Sequence, residues 1–361
     1  MDIYDEILNA LQAEDRVMLA TIISTAGSTP ASALSKMLVK QGGIVSVGTV
    51  GGGCMEGDVL QHANRLYQTG KAEILTFHLN EDDIENGLIC GGSLDVLLEP
   101  LTKENAALVE ELKTIRDGGE DCVLVTLIDN AHNVKRKFLA NPQSGEKGNQ
   151  RSSILHLPAN LVEPVCQAHH RQETCRLRTE DGEFILEPIS GNPDLVIFGG
   201  GHVSKFVSRT ATMAGFRVTI VDDREKYANE VRFPEATRTL VADFQESFSK
   251  LTVRPSTYVV IVTRGHRYDE IVLELAIKTP AKYVGMIGSR KKVLTTYEHL
   301  VARGASVEAL GRVHAPIGID IGAVTAEEIG VSVVAELVKA RRGEEIPLKH
   351  KSDEMKSIWS R

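Results

Sequence analysis

The chain has 361 residues, 42% of them hydrophobic and 25% charged, a make-up that predicts a soluble globular protein of two or three domains at roughly 150 residues each. Its net charge of −8 excludes a sequence-independent grip on nucleic acid, which requires a basic face. No apolar run reaches the ~18 residues of a membrane helix, and the acidic start Met1-Asp2-Ile3-Tyr4-Asp5-Glu6 is unlike a secretory signal, so a cytoplasmic protein is expected.

The apolar spacing of Ile3, Ile7, Leu8 and Leu11 predicts a helix over Asp2–Ala13. Strands follow at Arg16–Thr25, Lys36–Lys40 and Ile44–Val50, the first of them ended by Gly27-Ser28-Thr29-Pro30. After Gly51-Gly52-Gly53-Cys54, the residues Val59, Leu60, Ala63 and Leu66 recur at helical spacing and stop near Gly70. Further strands are predicted at Glu73–Leu79 and Leu94–Leu98, completing a smaller N-terminal α/β (α+β) domain over 1–101. Residues 102–190 are expected to form a connecting sub-domain, with helices at Lys103–Arg116 and Leu161–Arg171 and strands at Cys122–Ile128 and Phe184–Ile189.

From 191 to 345 the pattern becomes regular. Strands at Leu195–Phe198, Arg217–Val221, Arg238–Val241, Tyr258–Thr263 and Tyr283–Ile287 alternate with helical segments. This predicts a Rossmann-like, doubly wound α/β domain with a mainly parallel sheet. Thr325 and Glu328 form a capping box for a last helix reaching about Arg342, and 346–361 is a charged tail.

Two glycine turns stand out. Phe198-Gly199-Gly200-Gly201-His202 joins a strand to a helix, which aims backbone N–H groups at an anion. Gly199 permits the tight turn, Gly201 permits close approach of a phosphate, and Ser204 replaces the third glycine of the fingerprint. Asp222 and Asp223 end the second strand, where an acid holds a ribose hydroxyl, and Arg224 leaves NAD and NADP both open. His202 is either a solvent-facing residue or a phosphate contact. Three more loops belong to the same sheet edge and add His266, the Gly288-Ser289-Arg290-Lys291 helix start and Asp320. Cations at a helix N-terminus oppose the dipole, so Arg290 and Lys291 suggest an anionic partner.

The second turn, Gly51-Gly52-Gly53-Cys54-Met55-Glu56, sets a cysteine at a helix N-terminus, where a thiolate is favoured. Such a thiolate suits a soft metal or a sulfur, while a small packed residue is the plainer alternative. Glu56 is either a proton acceptor or a first-turn acid suited to the dipole. Cys90, in Leu88-Ile89-Cys90-Gly91-Gly92, is a second glycine-flanked thiol; Cys122, Cys166 and Cys175 read as structural. The odd cysteine count without a Cys-x-x-Cys pair fits neither a disulfide framework nor a zinc site.

The stretch Gly48–Glu56 with Cys90-Gly91-Gly92 resembles the N-terminal domain of the XdhC/CoxI family. Phe198–Val203, Asp222-Asp223-Arg224, Arg232-Phe233-Pro234, Gly285–Arg290 and Pro316–Thr325 resemble that family's C-terminal Rossmann domain. Two motifs depart from the family. Ala31-Ser32-Ala33 stands where an arginine and, slightly later, Gly-Ala are usual, and Thr263-Arg264-Gly265-His266 has arginine in place of one histidine. The resemblance implies an accessory factor, often dimeric, for xanthine dehydrogenase-type molybdenum hydroxylases in purine catabolism. It would bind molybdenum cofactor, in mononucleotide or dinucleotide form, support its sulfuration with a cysteine desulfurase, and deliver it to the apo-enzyme. On that reading Cys54 contacts the molybdenum or its sulfur. An NAD(P)-linked oxidoreductase and a nucleotide-sensing interaction protein are the alternatives.

Overall fold

The computed structural model describes residues 2–40, 45–79, 92–141 and 157–342. The chain divides into two compact units at the 191/192 boundary.

In the first unit, α1 (Ile3–Ala13) leads into β1 (Arg16–Ala26), β2 (Lys36–Lys40) and β3 (Val45–Gly48). Then come α2 (Gly53–Thr69), β4 (Glu73–His78) and β5 (Ser93–Thr102). Among the described residues these strands make an antiparallel sheet ordered β3-β2-β1-β5-β4. Both faces of β1 are covered. Met18, Ala20 and Ile22 pack under α2 with Met55, Val59 and Ala63, whereas Val17 and Leu19 point the other way, towards α1. This two-residue alternation with two buried faces explains why β1 reads as one continuous apolar run.

The remainder of the first unit is α3 (Ala106–Asp117), β6 (Cys122–Ile128), β7 (Val134–Ala140), α4 (Ala159–Arg171), β8 (Cys175–Thr179) and β9 (Gly182–Ile189). Its strands form a second antiparallel sheet ordered β7-β6-β9-β8. The stretch expected as a connecting sub-domain thus has a sheet of its own, and it also shares a core with the first hundred residues. Val109, Leu112, Leu124 and Leu139 pack in one cluster with Tyr4, Ile7, Val17 and Leu38.

The second unit runs β10 (Asp194–Phe198), α5 (His202–Met213), β11 (Arg217–Asp222), β12 (Arg238–Val241), β13 (Tyr258–Ile261) and α6 (His266–Ala276). It continues through β14 (Tyr283–Met286), α7 (Arg290–Ala302), α8 (Val307–Gly311), β15 (Val313–His314) and α9 (Ala326–Arg342). All pairings are parallel, in the order β12-β11-β10-β13-β14-β15. Counted within the unit this is 3-2-1-4-5-6, the dinucleotide-fold order, which reverses beside β10. Leu195 and Ile197 pack under α5 and α9, and Val196 and Phe198 under α6 and α7. The predicted Rossmann-like doubly wound sheet is therefore present. The Thr325–Glu328 capping box is formed, with Glu328 N–H donating to Thr325 Oγ1 at 3.3 Å and Thr325 N–H to Glu328 Oε2 at 3.0 Å. Among the described residues no helix is long and apolar enough to cross a membrane.

Candidate functional site: a glycine cradle and a glycine-flanked thiol

The order reversal at β10 opens a crevice at the carboxyl ends of β10, β11 and β13, and the predicted turn sits in it. A cavity of about 230 Å³ is lined by Gly199, Gly201, His202, Asp222, Arg224 and Arg264, among others. The three glycines act differently. Gly199 adopts φ +103°, and a Cβ there would lie 2.3 Å from the Val262 carbonyl oxygen. At Gly200 a Cβ would lie 2.0 Å from the Tyr227 carbonyl oxygen. Both are therefore required by the fold. Gly201 has ordinary φ, −70°, and a Cβ there would meet nothing within 4 Å. The space it leaves open lies in the cavity, at the N-cap of α5, where no side chain caps the helix. A first turn left uncapped presents N–H donors and a positive dipole end to an anion. Ser204, in place of the third glycine, is fully buried and donates to the Gly199 carbonyl at 2.5 Å, fastening the turn to its helix.

The acid at the end of β11 supports this turn from within. Asp222 is 1% exposed; its Oδ2 accepts from Gly200 N–H at 2.9 Å and its Oδ1 from Arg224 N–H and Nε at 3.1 and 2.9 Å. Its predicted role towards a ribose hydroxyl competes with these bonds. Asp223 is paired with the Arg264 guanidinium, which holds its carboxyl below the usual carboxylate range. Arg224 lies 3.8 Å over the Tyr227 ring and Arg264 4.1 Å over Tyr268. Each guanidinium is thereby fixed by one carboxylate and one aromatic face at the rim of the cavity. Arg232 carries no predicted role of its own. Its Nε donates to the Gly200 carbonyl at 2.8 Å and an Nη to that of Gly201 at 3.3 Å, gripping the turn from 31–32 residues away. That separation hides the contact from any local pattern; the motif Arg232-Phe233-Pro234 is the available signal.

His202 is exposed at the first position of α5, edge-on to Phe206 at 5.2 Å. His266 likewise begins α6 in solvent. Neither His266 nor Gly288, Ser289, Arg290, Lys291 or Asp320 lines the cradle. Ser289 caps α7, accepting from Lys292 N–H at 3.3 Å, and Arg290 and Lys291 are exposed beyond it. The α7 start is tied to the sheet by Lys292, which bonds the buried Asp269. Asp269 in turn accepts from Thr263 Oγ1 at 2.6 Å, and burial pushes its carboxyl above the usual range despite the lysine. Asp320 lines a different cavity.

In the first unit, Gly51, Gly52 and Gly53 have φ of +132°, +77° and +61°. A Cβ on Gly51 would lie 2.4 Å from Met55 Cε and 2.9 Å from Pro30 Cγ, whereas Gly52 and Gly53 face open space. Cys54 is the second residue of α2 and is exposed, while Cys122 is buried. Glu56 closes the turn: its Oε1 accepts from Thr49 Oγ1 at 2.5 Å, Val50 N–H at 3.2 Å and Gly52 N–H at 3.0 Å. Of the two predicted roles, the acid that orders the first turn accounts for these bonds. A Cβ on Gly92 would lie 2.4 Å from the Ser28 carbonyl oxygen and 2.5 Å from that of Ala26. Cys90 lies outside the described residues. Among the described residues no group of three or more His, Cys, Asp or Glu side chains is arranged to hold a metal ion.

These features define a class: a dinucleotide-type domain with an open anion cradle, together with an antiparallel domain that exposes a thiol on a glycine turn. Residues 10–78 match the model of the XdhC and CoxI family, and residues 195–337 that of the XdhC Rossmann domain, together more than half of the chain. The chain belongs to the XdhC and CoxI family. It is 27% identical over 337 residues to a Bacillus subtilis protein named as a probable xanthine dehydrogenase subunit, covering 92% of this chain and 95% of that one. Over 150 residues it is 34% identical to the uncharacterized protein YqeB of Escherichia coli, covering 41% of this chain and 27% of that one. A crystal structure described as a xanthine dehydrogenase from Bacillus halodurans is similar with a TM-score of 0.74 and 24% identity, covering 96% of this chain and 98% of that one. At that identity the likeness is one of fold.

Proposed function

We propose that this protein is an accessory factor that binds molybdenum cofactor, supports its sulfuration and delivers it to a xanthine dehydrogenase-type molybdenum hydroxylase. The observation that carries the reading is the cradle at Gly201: an uncapped α5 N-terminus, open space where a Cβ would stand, and two fixed guanidinium groups at the rim. That donor set fits the phosphate end of a pterin cofactor. The first-turn N–H groups of α5 would hold the phosphate, with the Arg224 and Arg264 guanidinium groups as further donors at the rim. When bound, the cofactor supplies a molybdenum centre carried on a dithiolene and completed by a terminal sulfur. Cys54 contributes an exposed soft donor suited to that metal or sulfur. The association with a hydroxylase draws on family membership and on the name of the Bacillus subtilis relative. A cysteine desulfurase partner, a homodimer and a cytoplasmic setting belong to the same proposal.

The NAD(P)-oxidoreductase alternative draws on the strand order and on the acid ending β11. Against it, Asp222 is 1% exposed and turned towards Gly200 and Arg224, and Asp223 is paired with Arg264. The test is a titration of purified protein with molybdenum cofactor and, separately, with NADH and NADPH, using wild type, Gly201→Val, His202→Ala and Cys54→Ala. We expect cofactor uptake that Gly201→Val abolishes and Cys54→Ala strongly weakens. Uptake unchanged in Gly201→Val, or tight nicotinamide binding with hydride transfer, would refute the proposal.

A further inference from the structure

The second unit has another cavity, at the side of the sheet where β14 begins and α9 ends. Its volume is about 730 Å³, and it shares no lining residue with the glycine cradle. Tyr283, the first residue of β14, lines it. The Tyr283 side chain is 2% exposed, and its hydroxyl makes no hydrogen bond of ordinary geometry among the described residues. Burial pushes the hydroxyl's pKa up, and the nearby Glu336 carboxylate, which also holds His314 and Gly318 N–H, adds to it. Tyr258, stacked beside Tyr283 at 5.8 Å, is 1% exposed and also has an unmet hydroxyl. Buried hydroxyls are nearly always bonded, so the unmet one of Tyr283, whose residue lines the cavity, marks a donor in want of an acceptor from outside the chain.

The lining shows which acceptor. Lys282, Lys339 and Arg342 reach the cavity from two separate elements, and none has a carboxylate partner among the described residues. Two of them end α9, where the helix dipole favours cations; Lys282 precedes β14 and has no such reason to be there. Tyr283 stacks at 4.4 Å on His314, whose ring is oriented by Glu336 at 2.8 Å from Nδ1 and remains half exposed. The wall therefore offers a cationic pole, a planar aromatic face and, in Glu336 and Asp320, two carboxylates. Carboxylates in the wall repel an acidic peptide. They suit a small ligand that is anionic at one end and carries N–H or O–H donors at the other. The volume lies within the range of small-ligand sites.

We propose that this cavity is a mononucleotide site, with the phosphate between Lys282, Lys339 and Arg342, the base against His314, and the Tyr283 hydroxyl donating to a ligand oxygen. It would be a second ligand site, independent of what the cradle holds. The test is isothermal titration of the full chain with AMP, GMP, adenosine and inorganic phosphate, each in wild type, Gly201→Val, Lys339→Glu and Tyr283→Phe, with melting temperature as the folding control. We expect AMP or GMP to bind Gly201→Val as tightly as wild type. Tyr283→Phe should weaken that binding about tenfold, the worth of a hydrogen bond to a charged group, and Lys339→Glu more than that. Loss of nucleotide binding in Gly201→Val, or undiminished binding in a folded Lys339→Glu, would overturn the proposal. Inorganic phosphate or adenosine alone binding as tightly as the nucleotide would overturn the assignment of ligand class.

Discussion

The two units bury charge in different places. In the first, it lies between the two antiparallel sheets: Lys36 of β2 reaches Glu187 of β9 at 2.5 Å, and Lys137 of β7 reaches Glu99 of β5. The two pairs run in opposite directions across the gap, and all four side chains are at most 10% exposed. In the second unit the core beneath the sheet is apolar; of the buried carboxylates, Asp222 ends β11 and Asp269, in the first turn of α6, bonds Thr263 just past the carboxyl end of β13. Buried ion pairs seldom add net stability, but they define which partners fit. Cross-sheet pairs therefore fix how two sheets face each other, whereas an acid at a strand's carboxyl end shapes the loops that meet a ligand. Burial of charge alone does not mark a functional site; its place in the topology does.

The largest expected effect tests the first half of that contrast. Lys137→Ala leaves Glu99 buried without a partner and should cost about 3–5 kcal/mol in urea unfolding. Lys137→Met combined with Glu99→Leu should recover most of it. A single variant costing under about 1 kcal/mol would show that the pair is not buried as described. The second half is tested by Asp222→Ala, which removes the acceptor of Gly200 N–H and Arg224. It should cost about 1–3 kcal/mol and abolish ligand uptake at the cradle, while Lys137→Met with Glu99→Leu leaves uptake intact. Uptake retained in Asp222→Ala would separate the buried acid from the site.

A smaller difference should appear in alkali. Burial pushes the Cys122 thiol of the first unit from 9.0 to about 12, and the Tyr258 hydroxyl of the second from 10.0 to about 12. In each case the unfolded chain releases the proton first, so between the two values the folded state holds more protons and stability falls as pH rises. Below the unfolded value the contribution is intact. Cys122→Ala should therefore flatten the pH dependence of unfolding from about 9 upward, and Tyr258→Phe only from about 10 upward. Identical alkaline profiles in wild type and both variants would refute the assignment.

The second unit is far more legible in the sequence than the first, and the reason is physical. A parallel sheet buried on both faces yields uninterrupted apolar runs such as Leu195–Phe198 and Tyr258–Ile261, set off by glycine turns. In the first unit, β7 and β8 are not among the predicted strands. Both are edge strands of their sheet, and they carry the exposed Lys135, Arg136 and Arg178, charges of the kind that protect an open edge. β15, only Val313–His314, is too short to leave a pattern. The cradle's glycines and Asp222 are readable because the fingerprint is local. The grip of Arg232, the orphan hydroxyls of Tyr258 and Tyr283, and the cross-sheet pairs are not, because each depends on residues far apart in sequence.

The smallest effect concerns Glu56, the one predicted site acid in the first unit. If it serves to gather Thr49 Oγ1, Val50 N–H and Gly52 N–H on one oxygen, then an amide oxygen can do nearly the same. Glu56→Gln should then change stability by about 0.5 kcal/mol or less, and leave the alkylation rate of Cys54 within about twofold of wild type. Glu56→Ala removes the acceptor and should cost about 1–2 kcal/mol while loosening the turn that presents Cys54. A proton acceptor behaves otherwise: replacing its carboxylate with an amide would slow Cys54 alkylation as much as alanine does, and flatten its pH profile. Equal losses in the two variants would place Glu56 in the chemistry of the thiol.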